Sequence, residues 1–318
     1  MQPGTDLQLA KSILEKGDLV AIPTETVYGL AANAFHGEAV AKIFEVKKRP
    51  QFNPLIIHTN TLERLKSWEI VLPEQALLLA GHFSPGPLTF VVKKSKYIPD
   101  LVTAGHDSVA VRIPDHPLTL ELLSMLDFPL AAPSANPSGF ISPTHAQHVY
   151  DQLGSAIPYI LDGGPCQVGL ESTIISFLNP QPKLLRLGGL ALEEIEEILG
   201  STLDKTSIIN NDDPLAPGML GKHYAPNKKT VMGKVSDYIS RYSIHELAAI
   251  HFCEPDPFLP LHQQIILSAK GQLREAAQKL FAAMREVDKM NIKLIIVDEF
   301  PMEGLGIAMN DRIFRASA

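Results

Sequence analysis

Cysteine is almost absent from this 318-residue sequence: Cys166 and Cys253 are the only two, too few and too far apart for a disulfide framework or a cysteine-ligated zinc site. Long apolar runs are missing too, so no membrane-spanning helix is expected. The opening Met1-Gln2-Pro3-Gly4-Thr5-Asp6 has neither the basic start nor the apolar core of a secretory signal, and a reducing cytoplasm is the expected location. A basic surplus is also lacking. The net charge is −7, with 14 Lys and Arg against 21 Asp and Glu in residues 1–200 and 14 of each in residues 201–318. Neither half therefore suits tight nucleic-acid binding, which needs phosphates neutralised by cations. No carboxylate cluster has metal-ligand spacing, and no Gly-x-Gly-x-x-Gly follows a strand in the C-terminal part, so no dinucleotide is expected there.

What is present is a 45% hydrophobic chain long enough for about two domains. Leu7, Ala10, Ile13 and Leu14 share one helical face that Gly17 closes, and a second helix is predicted from Ala39 to Val46. Short apolar runs read as strands: Leu19-Val20-Ala21-Ile22, Leu55-Ile56-Ile57-His58, Leu88-Thr89-Phe90-Val91-Val92, Val109-Ala110-Val111-Arg112, Leu130-Ala131-Ala132, Tyr159-Ile160-Leu161 and Thr173-Ile174-Ile175-Ser176-Phe177. With a closing helix from Leu190 to Leu199 they predict a mixed α/β domain over residues 1–200. Periodicity lapses over residues 201–229, where Pro214, Pro217, Gly218, Gly221 and Pro226 mark a linker or a functional cover. Residues 230–318 then predict a smaller α/β unit, with strands at 248–252, 264–267 and 294–297 and a helix from Gln272 to Met290.

Two features point to chemistry. Lys47-Lys48-Arg49-Pro50, followed by Asn53-Pro54-Leu55 and His58, sets three cations against a rigid turn, which suits a phosphate clamp; it equally suits a solvated turn complementing a helix C-terminus. Several strands also end in small, hydroxylated or cationic residues: Pro23-Thr24-Glu25-Thr26, Arg112, Ala132-Pro133-Ser134-Ala135-Asn136, Asp162-Gly163-Gly164 and Glu171-Ser172-Thr173. In open α/β sheets ligands lie at strand ends, so these residues predict a pocket there.

These stretches, together with Pro85-Gly86-Pro87-Leu88-Thr89, Leu185-Arg186, Ala216-Pro217-Gly218-Met219, Lys222-His223-Tyr224-Ala225-Pro226 and the terminal Asn310-Asp311-Arg312 to Arg315-Ala316, resemble the Sua5/YrdC family in its longer two-domain Sua5 form. The resemblance implies a YrdC-like twisted mixed-sheet domain with a strand-end pocket, then a smaller Rossmann-like α/β Sua5 domain. It implies a nucleotidyltransferase, an L-threonylcarbamoyladenylate synthase that joins L-threonine, bicarbonate and ATP into L-threonylcarbamoyl-AMP and pyrophosphate. That product feeds the N6-threonylcarbamoyl modification (t6A) of tRNA adenosine 37 through downstream transferase machinery.

On this resemblance Lys47, Arg49, Ser134 and Asn136 are the expected catalytic positions, binding the ATP phosphates, with Asn53, Ser142, Arg186, His223 and Tyr224 also on the nucleotide side. Lys48 is expected to matter less. Arg112 suits the threonine carboxylate, and Thr24, His58 and Ser172 its other polar groups; a core histidine is the other reading of His58. The segment carrying His223 and Tyr224 is expected over the pocket as a water-excluding lid. Mg²⁺ is expected to arrive with ATP, held by triphosphate and water rather than by protein side chains, with turn and strand-end roles for Asp162 and Glu171. Two other readings stand beside this one: an RNA-binding module of the same fold, and a carbamoyl transferase, although the zinc-finger-like domains of the latter have no counterpart here.

Overall fold

Short apolar segments bounded by Pro, Gly and Asn satisfy their buried backbone groups only by pairing with one another, and here they assemble into two sheets. The computed structural model describes residues 3–205, 214–219, 221 and 223–317. Its larger sheet contains β1 (Val20–Ile22), β2 (Gly29–Asn33), β3 (Ile56–His58), β4 (Leu88–Lys93), β5 (Ser108–Arg112), β6 (Leu130–Ala131), β7 (Tyr159–Ile160), β8 (Thr173–Ser176) and β9 (Lys183–Arg186). These nine strands run in the order β7-β1-β2-β6-β3-β5-β4-β8-β9. The β1/β7, β3/β5 and β4/β8 pairs are parallel and the other neighbours antiparallel, a mixed sheet as expected.

Strand residues alternate between the two faces, and each face is covered differently. Ile57, Phe90, Val92, Val109, Val111 and Ile175 belong to one core with residues of the helices Gly37–Lys47, Glu74–Phe83 and Leu192–Leu199. At the β1/β2 end the opposite face packs on the helices Leu7–Glu15 and Pro117–Ser124. At the other end Ile56, Val91, Ala110, Ile174 and Leu185 cluster, among the described residues, with no helix residue but with Ala216 and Met219 of the linker. The linker thus does a helix's work over that part of the sheet.

The smaller sheet holds β10 (Lys229–Met232), β11 (Leu247–His251), β12 (Gln264–Ile266) and β13 (Leu294–Val297), all parallel, in the order β10-β13-β11-β12. A parallel sheet needs both faces covered. One face packs on the helices Leu273–Lys289 and Leu305–Ser317, in a core that also takes in Val27, Ile141, Leu170 and Tyr224 from outside the smaller sheet and its helices. Val235 and Leu259 cover the other.

The strand pattern predicts neither β2, β9 nor β10. Gly29–Asn33 is built from small residues after a polar stretch, so it lacks the bulky apolar signature of a strand. The terminal helix is also unanticipated, because Arg312 and Arg315, both fully buried, interrupt its apolar face with charge. Among the described residues no helix is long and apolar enough to cross a membrane.

Candidate active site

β3 and β5 pair in register, so His58 and Arg112 lie side by side at their ends, on the face that carries Ile56 and Ala110. At the β9 edge of the sheet a register shift between β8 and β9 pairs Arg186 with Ile174 of that same face. Such a bulge re-aims a side chain that strict alternation would send to the other side. Ser172, just before β8, completes the row: the Arg186 guanidinium donates from Nη2 to the Ser172 carbonyl at 2.9 Å and to its Oγ at 3.1 Å.

The basic turn divides its three cations. The helix Gly37–Lys47 ends in Lys48, which takes a left-handed conformation (φ 50°) and stays exposed, as a solvated cap would. Lys47 and Arg49 flank it and are buried, at 1% and 7% exposure. The Lys47 ammonium donates to the Ser134 and Asn136 carbonyls, tying the turn to the loop after β6. Arg49 closes the turn on itself, donating from Nε to the Asn53 carbonyl at 3.1 Å and from Nη2 to Asn53 Oδ1 at 2.6 Å and the Pro54 carbonyl at 2.8 Å.

A pocket lies between these strand ends and the linker. Thr24, Arg49, His58, Arg112, Ser134, Ser172 and Arg186 line it from the larger domain, and Pro217, Gly218, His223 and Tyr224 cover it. Arg186 Nη1 donates to the Pro217 carbonyl at 3.1 Å, and Gly218 (φ 85°) sits where a Cβ would meet Arg186 Cδ at 2.7 Å, so only glycine lets the cover press this close. The free space beneath this cover is about 50 Å³, room for a few waters, and the pocket stays partly open to solvent. Lys222, part of the linker motif, lies outside the described residues. The remaining expected positions stand behind the wall: Lys47 and Asn53 in the turn, Asn136 donating from Nδ2 to the Phe140 carbonyl at 2.8 Å, and Ser142 donating to Glu171 Oε1 at 2.5 Å.

Cations outnumber carboxylates here, and both nearby carboxylates are committed. Glu25, 4% exposed, sets Oε1 2.7 Å from Arg112 Nη2 and accepts from the Asp115 amide at 3.0 Å. Glu171 takes Arg312 Nε on Oε2 at 2.9 Å. Asp162 accepts from the Gly164 amide at 2.9 Å, a turn contact. Among the described residues no group of three or more His, Cys, Asp or Glu side chains could hold a metal ion. Glu25 and Arg312 are site residues that sequence reading overlooked; the terminal motif was the one signal for Arg312.

Burial shapes the ionisation. It lowers the Lys47 ammonium well below its ordinary range, helped by the Arg49 charge, and pushes Arg49 down to about 9 and Arg186 to about 10; at these values both arginines stay charged at neutral pH. Burial, with Arg112 adding to it, takes His58 down to about 3, and burial does the same to His223, so both imidazoles are neutral. For Glu171 burial works upward, but Arg312, Arg186 and the Ser142 hydroxyl outweigh it and hold the carboxyl low. On three residues that line the cavity, His58 Nδ1, His223 Nδ1 and the Tyr224 hydroxyl are buried without a hydrogen-bond partner among the described residues. An unmet buried polar group costs about 1–3 kcal/mol, so their concentration around one cavity suits a polar ligand.

A family model described as Telomere recombination, covering Sua5, YciO and YrdC proteins, matches residues 12–188, and one described as Threonylcarbamoyl-AMP synthase, C-terminal domain, matches residues 190–318. The chain is 40% identical to the threonylcarbamoyl-AMP synthase of Pyrococcus abyssi, an alignment covering 98% of this chain and 94% of that protein. It is 38% identical to the Bacillus subtilis threonylcarbamoyl-AMP synthase, over 97% and 92%. The fold superposes on the crystal structure of P. abyssi Sua5 complexed with L-threonine with a TM-score of 0.90, at 38% identity, covering 98% of this chain and 94% of that one.

Proposed function

The chain belongs to the Sua5/YrdC family in its two-domain Sua5 form, and we propose that it makes threonylcarbamoyl-AMP from L-threonine, bicarbonate and ATP in the pocket beneath the linker. The observation that carries this reading is the convergence of Arg49, Arg112 and Arg186 with the Ser134 and Ser172 hydroxyls on one buried cavity whose nearby carboxylates are already paired. An excess of fixed positive charge beside hydroxyl groups suits a substrate set that carries a triphosphate and an amino-acid carboxylate.

The threonine amine and bicarbonate form a carbamate with loss of water. A carbamate oxygen then attacks the α-phosphorus of ATP, and the bond to the β-phosphate breaks to release pyrophosphate. No covalent protein nucleophile is needed, so the side chains act by positioning and by neutralising charge. Arg112 holds the threonine carboxylate; neutral His58, with Thr24 and Ser172, receives the remaining polar groups. Arg49, Ser134, Arg186 and His223 with Tyr224 face the nucleotide. Lys47, Asn53, Asn136 and Ser142 act from behind the wall by fixing the turn and the loop after β6. Magnesium enters as part of the MgATP substrate, its ligands supplied by phosphate and water.

In this reading residues 1–200 form the catalytic domain, 201–229 the lid and 230–318 a domain that backs the lid. The linker residues Pro217, Gly218, His223 and Tyr224 lie over the pocket, and in this reading they act as a lid that lifts to admit the substrates and closes to keep water from the carbamate and the adenylate, in a cytoplasmic enzyme serving tRNA t6A synthesis. Pyrophosphate release by the purified chain tests the assignment: it should require ATP, bicarbonate and threonine together. Release independent of threonine would refute it.

A further inference from the structure

One charged contact crosses from the C-terminal domain to the pocket wall, and the reaction scheme leaves it unused. Arg312, on the terminal helix, is fully buried, and its Nε reaches Glu171 Oε2 at 2.9 Å across 141 residues of sequence. Its other nitrogens donate to the Leu187 carbonyl and to Asp311, both at 2.6 Å, which fixes the plane of the guanidinium. The Tyr224 ring of the lid lies against that plane, 4.8 Å from the guanidinium carbon. Glu171 itself lines the pocket next to Arg186, His223 and Tyr224, the positions placed on the nucleotide side.

A carboxylate in the wall of a pocket that receives a triphosphate is a liability, because its charge opposes the substrate's in a site with little water to screen it. Ser142 donates one hydrogen bond to Glu171 but carries no charge. Arg186 is close, yet its guanidinium hydrogen bonds go to Ser172 and Pro217. Arg312 is the cation paired directly with Glu171, and it comes from the other domain.

Resting on the synthase reading above, we infer that Arg312 is a positioning residue for the reaction: it neutralises Glu171 so that the nucleotide side of the pocket can accept the anionic triphosphate. The C-terminal domain thereby completes the charge pattern of an active site it does not line. Removing Arg312 leaves an unpaired carboxylate facing ATP, and removing Glu171 as well takes that charge away.

MgATP and threonine are titrated separately by calorimetry into the full chain as wild type, R312M, R312K, E171Q and R312M/E171Q, with thermal melts to confirm folding. R312M should weaken ATP binding about tenfold while threonine, held at Arg112, shifts by less than about threefold. R312K should fall between, since it keeps the charge without the fork. The double variant should return to within about threefold of E171Q alone, a recovery that a merely structural role for Arg312 would not give.

A double variant as weak as R312M would overturn the inference, as expected if Glu171 contacts the metal of MgATP or if Arg312 serves only packing. Tighter ATP binding by R312M would also overturn it, marking Arg312 as a latch on Tyr224. A wild-type chain that binds no ATP would remove the synthase reading and this inference together, whereas normal wild-type binding with no charge rescue removes the inference alone.

Discussion

Replacing Arg49 and Lys48 separately by alanine separates a placed charge from a merely positive surface. The two are adjacent in sequence and carry the same formal charge, but Arg49 is buried against the pocket and Lys48 is exposed at the helix cap. A unit charge about 6 Å from a phosphate charge, at an effective dielectric of about 20, contributes about 3 kcal/mol, whereas in water the same pair is worth less than about 1 kcal/mol before salt screens it. About 3 kcal/mol corresponds to a loss of about 100-fold in kcat/KM for Arg49→Ala, and Lys48→Ala should lose no more than about threefold. Arg49 also makes three hydrogen bonds to Asn53 and Pro54, so folding of the variant is checked by thermal melting. The assay is initial-rate pyrophosphate release with ATP varied at saturating threonine and bicarbonate. Equal losses in the two variants would refute the reasoning, because the turn would then supply only diffuse positive charge.

Replacing residues 214–226 by a Gly-Ser linker of equal length should abolish accumulation of the adenylate while the larger domain still melts cooperatively; wild-type accumulation would remove the lid role. Three histidines that burial holds neutral set an acid limit on stability. His58, His148 and His223 have folded values of about 3 against an ordinary 6.5, so the unfolded chain binds more protons between those values. Their contribution is complete above about pH 6.5 and fades as pH falls toward 3, at up to about 1.4 kcal/mol per pH unit for each histidine. The urea midpoint should therefore drop from pH 7 to pH 5, and His58→Gln should flatten that slope; a midpoint independent of pH would contradict the burial of neutral imidazoles.

Apolar runs such as Leu88–Lys93 and Leu294–Val297 were legible in the sequence because their bulky β-branched or aromatic residues have few other uses. Gly29–Asn33 was not, since its small residues carry the signal of neither strand nor helix. The pocket was legible in part because polar residues at strand ends have a local signature. The parallel register that sets His58 beside Arg112, and the bulge that turns Arg186 onto their face, depend on pairings between distant strands that no local pattern encodes. The Arg312 and Glu171 pair is the extreme case. Buried charge reads as exposed surface in a sequence until its partner is known, and that partner lies in the other domain.

Incubating the purified chain with ATP, threonine and ¹³C-labelled bicarbonate, then resolving the products by mass spectrometry, tests the central claim most directly. A threonylcarbamoyl-AMP carrying the label in its carbamoyl carbon, formed only when all three substrates are present, is the expected product. An adenylate lacking the label, or none that depends on threonine, would contradict the account.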